Sequence, residues 1–250
     1  MQAYTRGKKN WIIMVTVAWL VYGCAAQPRP LPPKPIAPLD EQAMSKGWWA
    51  ARFYMNWPEK TEPAWHLGAL LGHQVVAPIL AQYGDAIELW RFHRRAARDE
   101  SGHRFTFYFY TTPQIAAQVI NSARFHRRVI QLTAAGDLLR TAYSDPAVNE
   151  HPHVEDISDA NWSPVLQKAW PYFIMGVSRT WLDLIDRLVA ARPIDIQRAS
   201  LEALYELYRE VDADVVGIWK NEGRHAFLHH LNAIFEYEPL WIYERRPLKF

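Results

Sequence analysis

Three groups of side chains in this sequence have the types and spacing for chemistry. His225 and His229 are four residues apart, which puts two imidazoles on one face of a helix, and His230 follows directly. His151 and His153 flank Pro152 in a polar stretch with Glu150, Glu155 and Asp156. Zinc takes three or four imidazole, thiolate or carboxylate ligands in tetrahedral reach, so these two groups together could complete one metal site. Neither has HExxH spacing, and Gly223 separates Glu222 from the helix register. The plain alternatives are a solvated helix face and an ordinary polar loop. The third group is Arg91, His93, Arg94 and Arg95, with Arg104 across a hairpin, interleaved with Trp90, Phe92 and Tyr108. Basic and aromatic residues on one sheet face suit an anionic ligand or an acidic protein surface, and in other settings single-stranded nucleic acid.

Motifs that would fix a reaction are missing. There is no G-x-S-x-G, no GxGxxG and no P-loop, and the one small-residue run, MGVSRTW from Met175, falls in the middle of an expected helix. No cofactor is predicted. The enzyme question stays open, with the weight on a protein that binds rather than catalyses.

The elements that must position these groups follow from periodicity. Residues 48–57, short and aromatic and ending at Pro58, read as a strand. Residues 62–83 carry Leu67, Leu70, Leu71, Val75, Ile79 and Leu80 near helical spacing, with Gly68, Gly72 and Pro78 disturbing the pattern. Residues 86–94 alternate Ile87, Leu89, Arg91 and His93 against Glu88, Trp90, Phe92 and Arg94. Residues 104–111 alternate Phe105, Phe107 and Phe109 against Thr106, Tyr108 and Tyr110, across the polar hairpin AARDESG. A helix over 113–124, open to extension past Arg128, and a strand over 138–143 complete this half. The order strand–helix–strand–strand–helix–strand predicts an α+β fold with a ferredoxin-like layer.

The second half reads differently. Residues 144–162 are a polar loop, after which Ser163 and Pro164 resemble an N-cap and first helical residue. The helix that follows should kink at Pro171. Residues 196–219 and 224–235 give two more helices, and an irregular tail follows. The expectation is one domain over 45–250 with a helical C-terminal half. A small-ligand pocket between sheet and helices, lined by Trp90, Tyr108, Trp170 and Trp181, is a further alternative.

The N-terminus has a separate logic. Arg6, Lys8 and Lys9 precede an uncharged run of 13 residues, Trp11 to Gly23, and no acidic residue occurs before Asp40. A membrane-spanning helix needs about 20 apolar residues. Thirteen behind a basic flank is the layout of a signal peptide. Val21, Tyr22, Gly23 and Cys24 resemble the lipobox of bacterial lipoproteins, departing from the common Leu-Ala-Gly-Cys at Val21 and Tyr22. The resemblance implies a signal peptide over 1–23, a diacylglycerol on the Cys24 thiol, cleavage before Cys24 and acylation of the new amine. Ala25, in place of the aspartate that favours inner-membrane retention, implies an outer-membrane address facing the periplasm. Two or three acyl chains would anchor the protein firmly, since one alone binds reversibly.

Residues 24–44 then form a proline-rich linker. Pro28, Pro30, Pro32, Pro33, Pro35 and Pro38 disfavour helix and favour extended polyproline II, so residues 28–38 would span roughly 34 Å. Without Arg6, Lys8 and Lys9, the 28 basic side chains become 25 against 26 acidic, a net charge of −1. The pI near 8.6 therefore owes much to the signal and argues poorly for nucleic acid. Cys24 is the sole cysteine, so its lipidation leaves no thiol for a disulfide or for catalysis. The sequence thus predicts a lipid-anchored accessory factor that binds another protein, with a histidine-based metal enzyme and a small-ligand carrier as alternatives.

Overall fold

Alternation with a period of two builds the front of the molecule. The computed structural model describes residues 45–238, and among these the alternating segments form four strands. They are β1 (Gly47–Met55), β2 (Leu89–Ala96), β3 (His103–Thr111) and β4 (Leu138–Tyr143), in one antiparallel sheet of order β2-β3-β1-β4. β1 and β3 are central and paired on both sides. Their sequences, GWWAARFYM and HRFTFYFYT, are accordingly rich in aromatic residues. Thr106 and Tyr110 are buried along with Phe105, Phe107 and Phe109, so β3 is covered on both faces rather than one.

Between β1 and β2 the predicted single helix is divided into α1 (Trp65–Leu71), a π-helical turn (Gly72–Val76) and α2 (Ala77–Tyr83). The wide turn sits just before Pro78, whose ring would press on the Gln74 carbonyl in a regular α-helix. Ala77 N–H instead reaches the Gly72 carbonyl, five residues back. Gly72 is also needed for packing, because a Cβ there would lie 2.9 Å from the Trp181 ring. After β3 come α3 (Pro113–Arg124) and α4 (Arg127–Ala134), parted where the His126 ring accepts the Arg128 N–H.

The second half is helical, as its longer apolar period predicts. The loop over 144–162 includes one 3-10 turn, Val154–Ile157. α5 (Pro164–Ala190) starts at the predicted signal: Ser163 Oγ accepts the Leu166 N–H, and Pro164 occupies the first turn. α5 continues through Pro171 as one element. Pro171 has no N–H to offer the Gln167 carbonyl, and Ser158 Oγ donates to that carbonyl at 2.7 Å instead. Ser158→Ala should therefore lower stability by about 1 kcal/mol in a urea titration. No change in the midpoint would mean that solvent serves the carbonyl equally well.

α6 (Leu201–Asn221), capped by Ser200, packs on α1 and α5. A π-helical turn (Arg224–His229) and the short α7 (His230–Ile234) then replace the single helix predicted over 224–235. The expected signal over 1–23, Cys24, the linker over 24–44 and the tail over 239–250 lie outside the described residues.

The helices cover one face of the sheet. Trp49, Phe53, Phe92, Phe105 and Phe107 pack there with Leu70, Val75, Leu204 and Tyr208. Phe92 lies 5.2 Å from Phe105 and 5.3 Å from Trp181, contacts of about 0.5–1.5 kcal/mol each beyond their buried area. The other face holds a smaller apolar cluster, Trp48, Leu89 and Tyr110, under Val154, Ile157 and Met175. The rest of that second face is only partly covered by the described residues, and its side chains are basic.

Candidate anion-binding face

Strand register assembles this face. Across β2, β3 and β1, Arg91 pairs with Tyr108 and Tyr108 with Ala50; one step along, His93 pairs with Thr106 and Thr106 with Arg52. The next row runs Arg95, Arg104 and Tyr54, and Tyr54 pairs with Arg140 on β4. Residues directly opposite in a sheet point to the same side. Arg91, His93, Arg95, Arg104, Arg52 and Arg140 therefore share one face with Tyr54 and Tyr108.

Their electrostatics are unbalanced. Arg95 is held by Asp99 in the hairpin. Arg52, Arg91, Arg104 and Arg140 form no ion pair with any described carboxylate. They lie over aromatic rings instead. Arg91 is 4.5 Å from the Tyr108 ring centre and 5.0 Å from that of Trp170, and Arg140 is 3.5 Å from that of Tyr54. A ring face gives a cation about 0.5–2 kcal/mol but accepts none of its directed hydrogen bonds well. Burial lowers the Arg91 pKa. His93 is pushed down to about 4, first by burial and then by Arg91, Arg104 and Arg95, so it is neutral at pH 7. Burial works against the shift at Tyr54, but the neighbouring Arg104 and Arg140 outweigh it and lower its pKa.

At one end of the face, beside β1, the loop over 144–158 borders a solvent-open cavity of about 240 Å³. The loop is stapled to β1: Trp48 N–H donates to the His151 carbonyl at 2.9 Å, and Ala50 N–H donates to Ser144 Oγ at 3.0 Å. Trp48 Nε1 donates to the Val154 carbonyl at 3.0 Å, and Tyr110 Oη donates to that of Pro152 at 2.8 Å. Arg91, Arg52, Tyr108, Ser144, His151 and Asp156 line the cavity. Two groups that are separate in the sequence, the basic strand and the histidine loop, thus meet at one place.

Other predicted groups part company. Arg94 belongs to the opposite face. Its guanidinium donates to Asp212 Oδ1 at 2.7 Å and to the Trp65 carbonyl at 2.8 Å, between the Trp65 and Trp181 rings. The β2 alternation already set Arg94 apart from Arg91 and His93, and this corrects its inclusion in the binding surface. The joint metal site of His151, His153, His225 and His229 is not assembled. The 3-10 turn beside His153 packs on β1 and α5, whereas the turn carrying His225 packs on α6 and α7. His153 caps the 3-10 turn, its backbone N–H donating to Asp156 Oδ2 at 2.7 Å.

His225 and His229 stack at 5.0 Å with their planes 11° apart, and the π-helical turn brings His230 within 5.1 Å of His225. Ring-nitrogen lone pairs lie in the ring plane, so stacked imidazoles direct them side by side rather than to one point. No described group of three or more His, Cys, Asp or Glu side chains is arranged to hold a metal ion. The four aromatics of the carrier alternative are split too. Trp90 and Trp181 pack with the helix-covered core, and Tyr108 and Trp170 lie against Arg91.

Arg52, Tyr54 and Arg140 are the members of the face that sequence reasoning missed. Alternation within β1 and β4 was the available signal, but it assigns no partner strand. An Asp186–His73–Tyr208 chain also runs inward from the exposed Asp186, with Tyr208 Oη 2.6 Å from His73 Nδ1 and Asp186 Oδ1 3.3 Å from His73 Nε2. Tyr208 is fully buried, so no substrate reaches its hydroxyl, and the chain ties α5 and α6 to the π-helical turn. Compared with known protein families, curated proteins and solved structures, the chain shows no significant match.

Proposed function

We propose that this chain is a membrane-tethered lipoprotein, anchored through Cys24 in the outer membrane and facing the periplasm, that acts without catalysis by docking an acidic protein on the basic face of its sheet. The observation that carries the docking reading is four arginines, Arg52, Arg91, Arg104 and Arg140, on one face with no described carboxylate paired to them. Complementary charge steers association and sets partner choice. The anchor rests on the basic flank, the 13-residue apolar run and the lipobox-like Val21-Tyr22-Gly23-Cys24. We also read the front layer as ferredoxin-like. The antiparallel order β2-β3-β1-β4 and the helices after β1 and β3 support that reading.

Detergent-solubilised full-length protein, titrated with a polyglutamate peptide, an oligothymidine strand and vesicles of anionic phospholipid, tests the docking surface. The peptide should bind with strong salt dependence. The double variant Arg104→Glu/Arg140→Glu should weaken it at least tenfold while leaving the melting temperature close to wild type, because like charges at an interface cost several kcal/mol. Tighter binding of the oligonucleotide or the vesicles, or an unchanged peptide affinity in the double variant, would overturn the reading. In the same cells, Cys24→Ser should accumulate unprocessed precursor and incorporate no labelled palmitate. Normal processing of that variant would remove the lipoprotein assignment.

A further inference from the structure

We propose that the cavity between β1, β3 and the loop over 144–158 is a carboxylate-binding site, in which Arg91 and Arg52 grip a single carboxylate group. This rests on reading the surrounding sheet face as anion-binding and adds a defined chemical target to it.

The argument begins with Arg91. A guanidinium offers five N–H donors in a planar fork. Arg91 makes no hydrogen bond to a described residue; its Nε is buried and unpartnered, and its neighbours are the Tyr108 and Trp170 rings. The two rings, 4.5 Å and 5.0 Å from its guanidinium carbon, restrict the fork at the strand surface. A restricted, desolvated cation without an acceptor is costly in the free protein, and an arriving anion removes that cost. Arg52, two residues beyond Ala50 on β1, approaches the same Tyr108 ring at 5.9 Å and also lines the cavity. Ser144 Oγ accepts from Ala50 N–H and keeps its own hydroxyl proton for another acceptor.

Charge and size narrow the ligand. Asp156 is the one carboxylate among the lining residues, and it is engaged by the His153 N–H. Two arginines against one aspartate leave a single positive charge, which a monoanion neutralises and a dianion exceeds. Guanidinium and carboxylate are both planar and match through two parallel hydrogen bonds. The volume, about 240 Å³, is below the roughly 300–1,000 Å³ of pockets that enclose drug-sized molecules. It fits a small organic acid, or one acidic side chain of a larger partner.

Trp48, Trp49 and Trp170 lie at or beside the cavity, so tryptophan emission of the solubilised full-length protein reports occupancy directly. The probes are sodium propionate, a capped tripeptide with one central glutamate, the same tripeptide with glutamine, and inorganic phosphate. The expected result is saturable quenching by the glutamate peptide or by propionate, and none by the glutamine peptide. Arg91→Lys and Arg52→Gln should each weaken it at least tenfold, because lysine lacks the planar fork and glutamine the charge. Arg187→Gln, on the helical half, serves as the neutral control. Binding of both carboxylates assigns a free acid, and binding of the peptide alone assigns a partner's side chain. Arg52 stands clear of the Trp170 stack, so Arg52→Gln keeps the test decisive if Arg91→Lys disturbs the fold. Failure of both carboxylates to bind, preference for phosphate, or undiminished binding in Arg52→Gln would overturn the proposal. The polyglutamate result at Arg104 and Arg140 would stand regardless.

Discussion

Replacing Arg94 by methionine should lower the unfolding free energy by about 3 kcal/mol, read as a fall in the urea midpoint at unchanged slope. Arg94 links three parts of the molecule. It sits on β2, donates to the Trp65 carbonyl at the start of α1 and pairs with Asp212 on α6. Its side chain is 23% exposed and that of Asp212 is 13%, so the substitution strands a mostly buried carboxylate without its arginine. Breaking a fully buried pair costs about 3–5 kcal/mol, and the remaining exposure here points to the lower end. Methionine keeps much of the stem that packs against Trp65 and Trp181, so the loss reports the missing charge rather than a cavity. Arg94→Met/Asp212→Leu should recover at least half of the loss, since a buried pair replaced as a unit is often neutral. A single variant within 0.5 kcal/mol of wild type would show that solvent satisfies Asp212.

Stability should also fall steadily as the pH drops from about 6.5 to about 4. Burial depresses the pKa of His66, His73, His93, His103 and His126, with His66 and His93 pushed down to about 4. Burial is the largest influence in each case. At His66 the Arg209 charge adds to it, and Asp212 and Asp137 oppose it. Between these folded values and the unfolded value near 6.5, the unfolded chain binds more protons than the native one, so unfolding free energy rises with pH there. The contribution is complete above pH 6.5 and is lost as the native histidines are forced to charge. Salt and solvent screening and the opposing charges limit the share of each ring to about 1 kcal/mol, and five rings act in the same direction. Melting temperatures at pH 7.5, 6.0 and 5.0 should show the decline, and His66→Leu should flatten part of it. A flat profile across that range would mean that the rings are better hydrated than their packing indicates.

The two halves of the chain differ in how much their sequences disclose. Strand β4 and helix α3 begin and end where alternation and helical spacing place them, and α5 begins at the Ser163–Pro164 signal. These are local effects, governed by side-chain period and by the backbone groups at a helix end, so a short window suffices to read them. Interruptions were harder. Pro78 and Gly72 marked a disturbance in the first helix, but the packing of Gly72 against Trp181 is a contact that no window of neighbouring residues displays.

Sequence alone determined that two strands with interleaved basic and aromatic residues fall near residues 86–94 and 104–111, observed as Leu89–Ala96 and His103–Thr111, and that Arg94 alternates away from Arg91 and His93. It also determined what an anchor would require, a cysteine behind a basic flank and a short apolar run. Only the tertiary structure decided which strands are neighbours. Placing β1 between β3 and β4 brings Arg52 and Arg140 to the face, and folding the loop over β1 sets His151 beside Arg91 instead of His225. The physical reason is that register and strand order are fixed by burial summed over the whole sheet. A local pattern tells which way a side chain points, but only the assembled core decides what it meets.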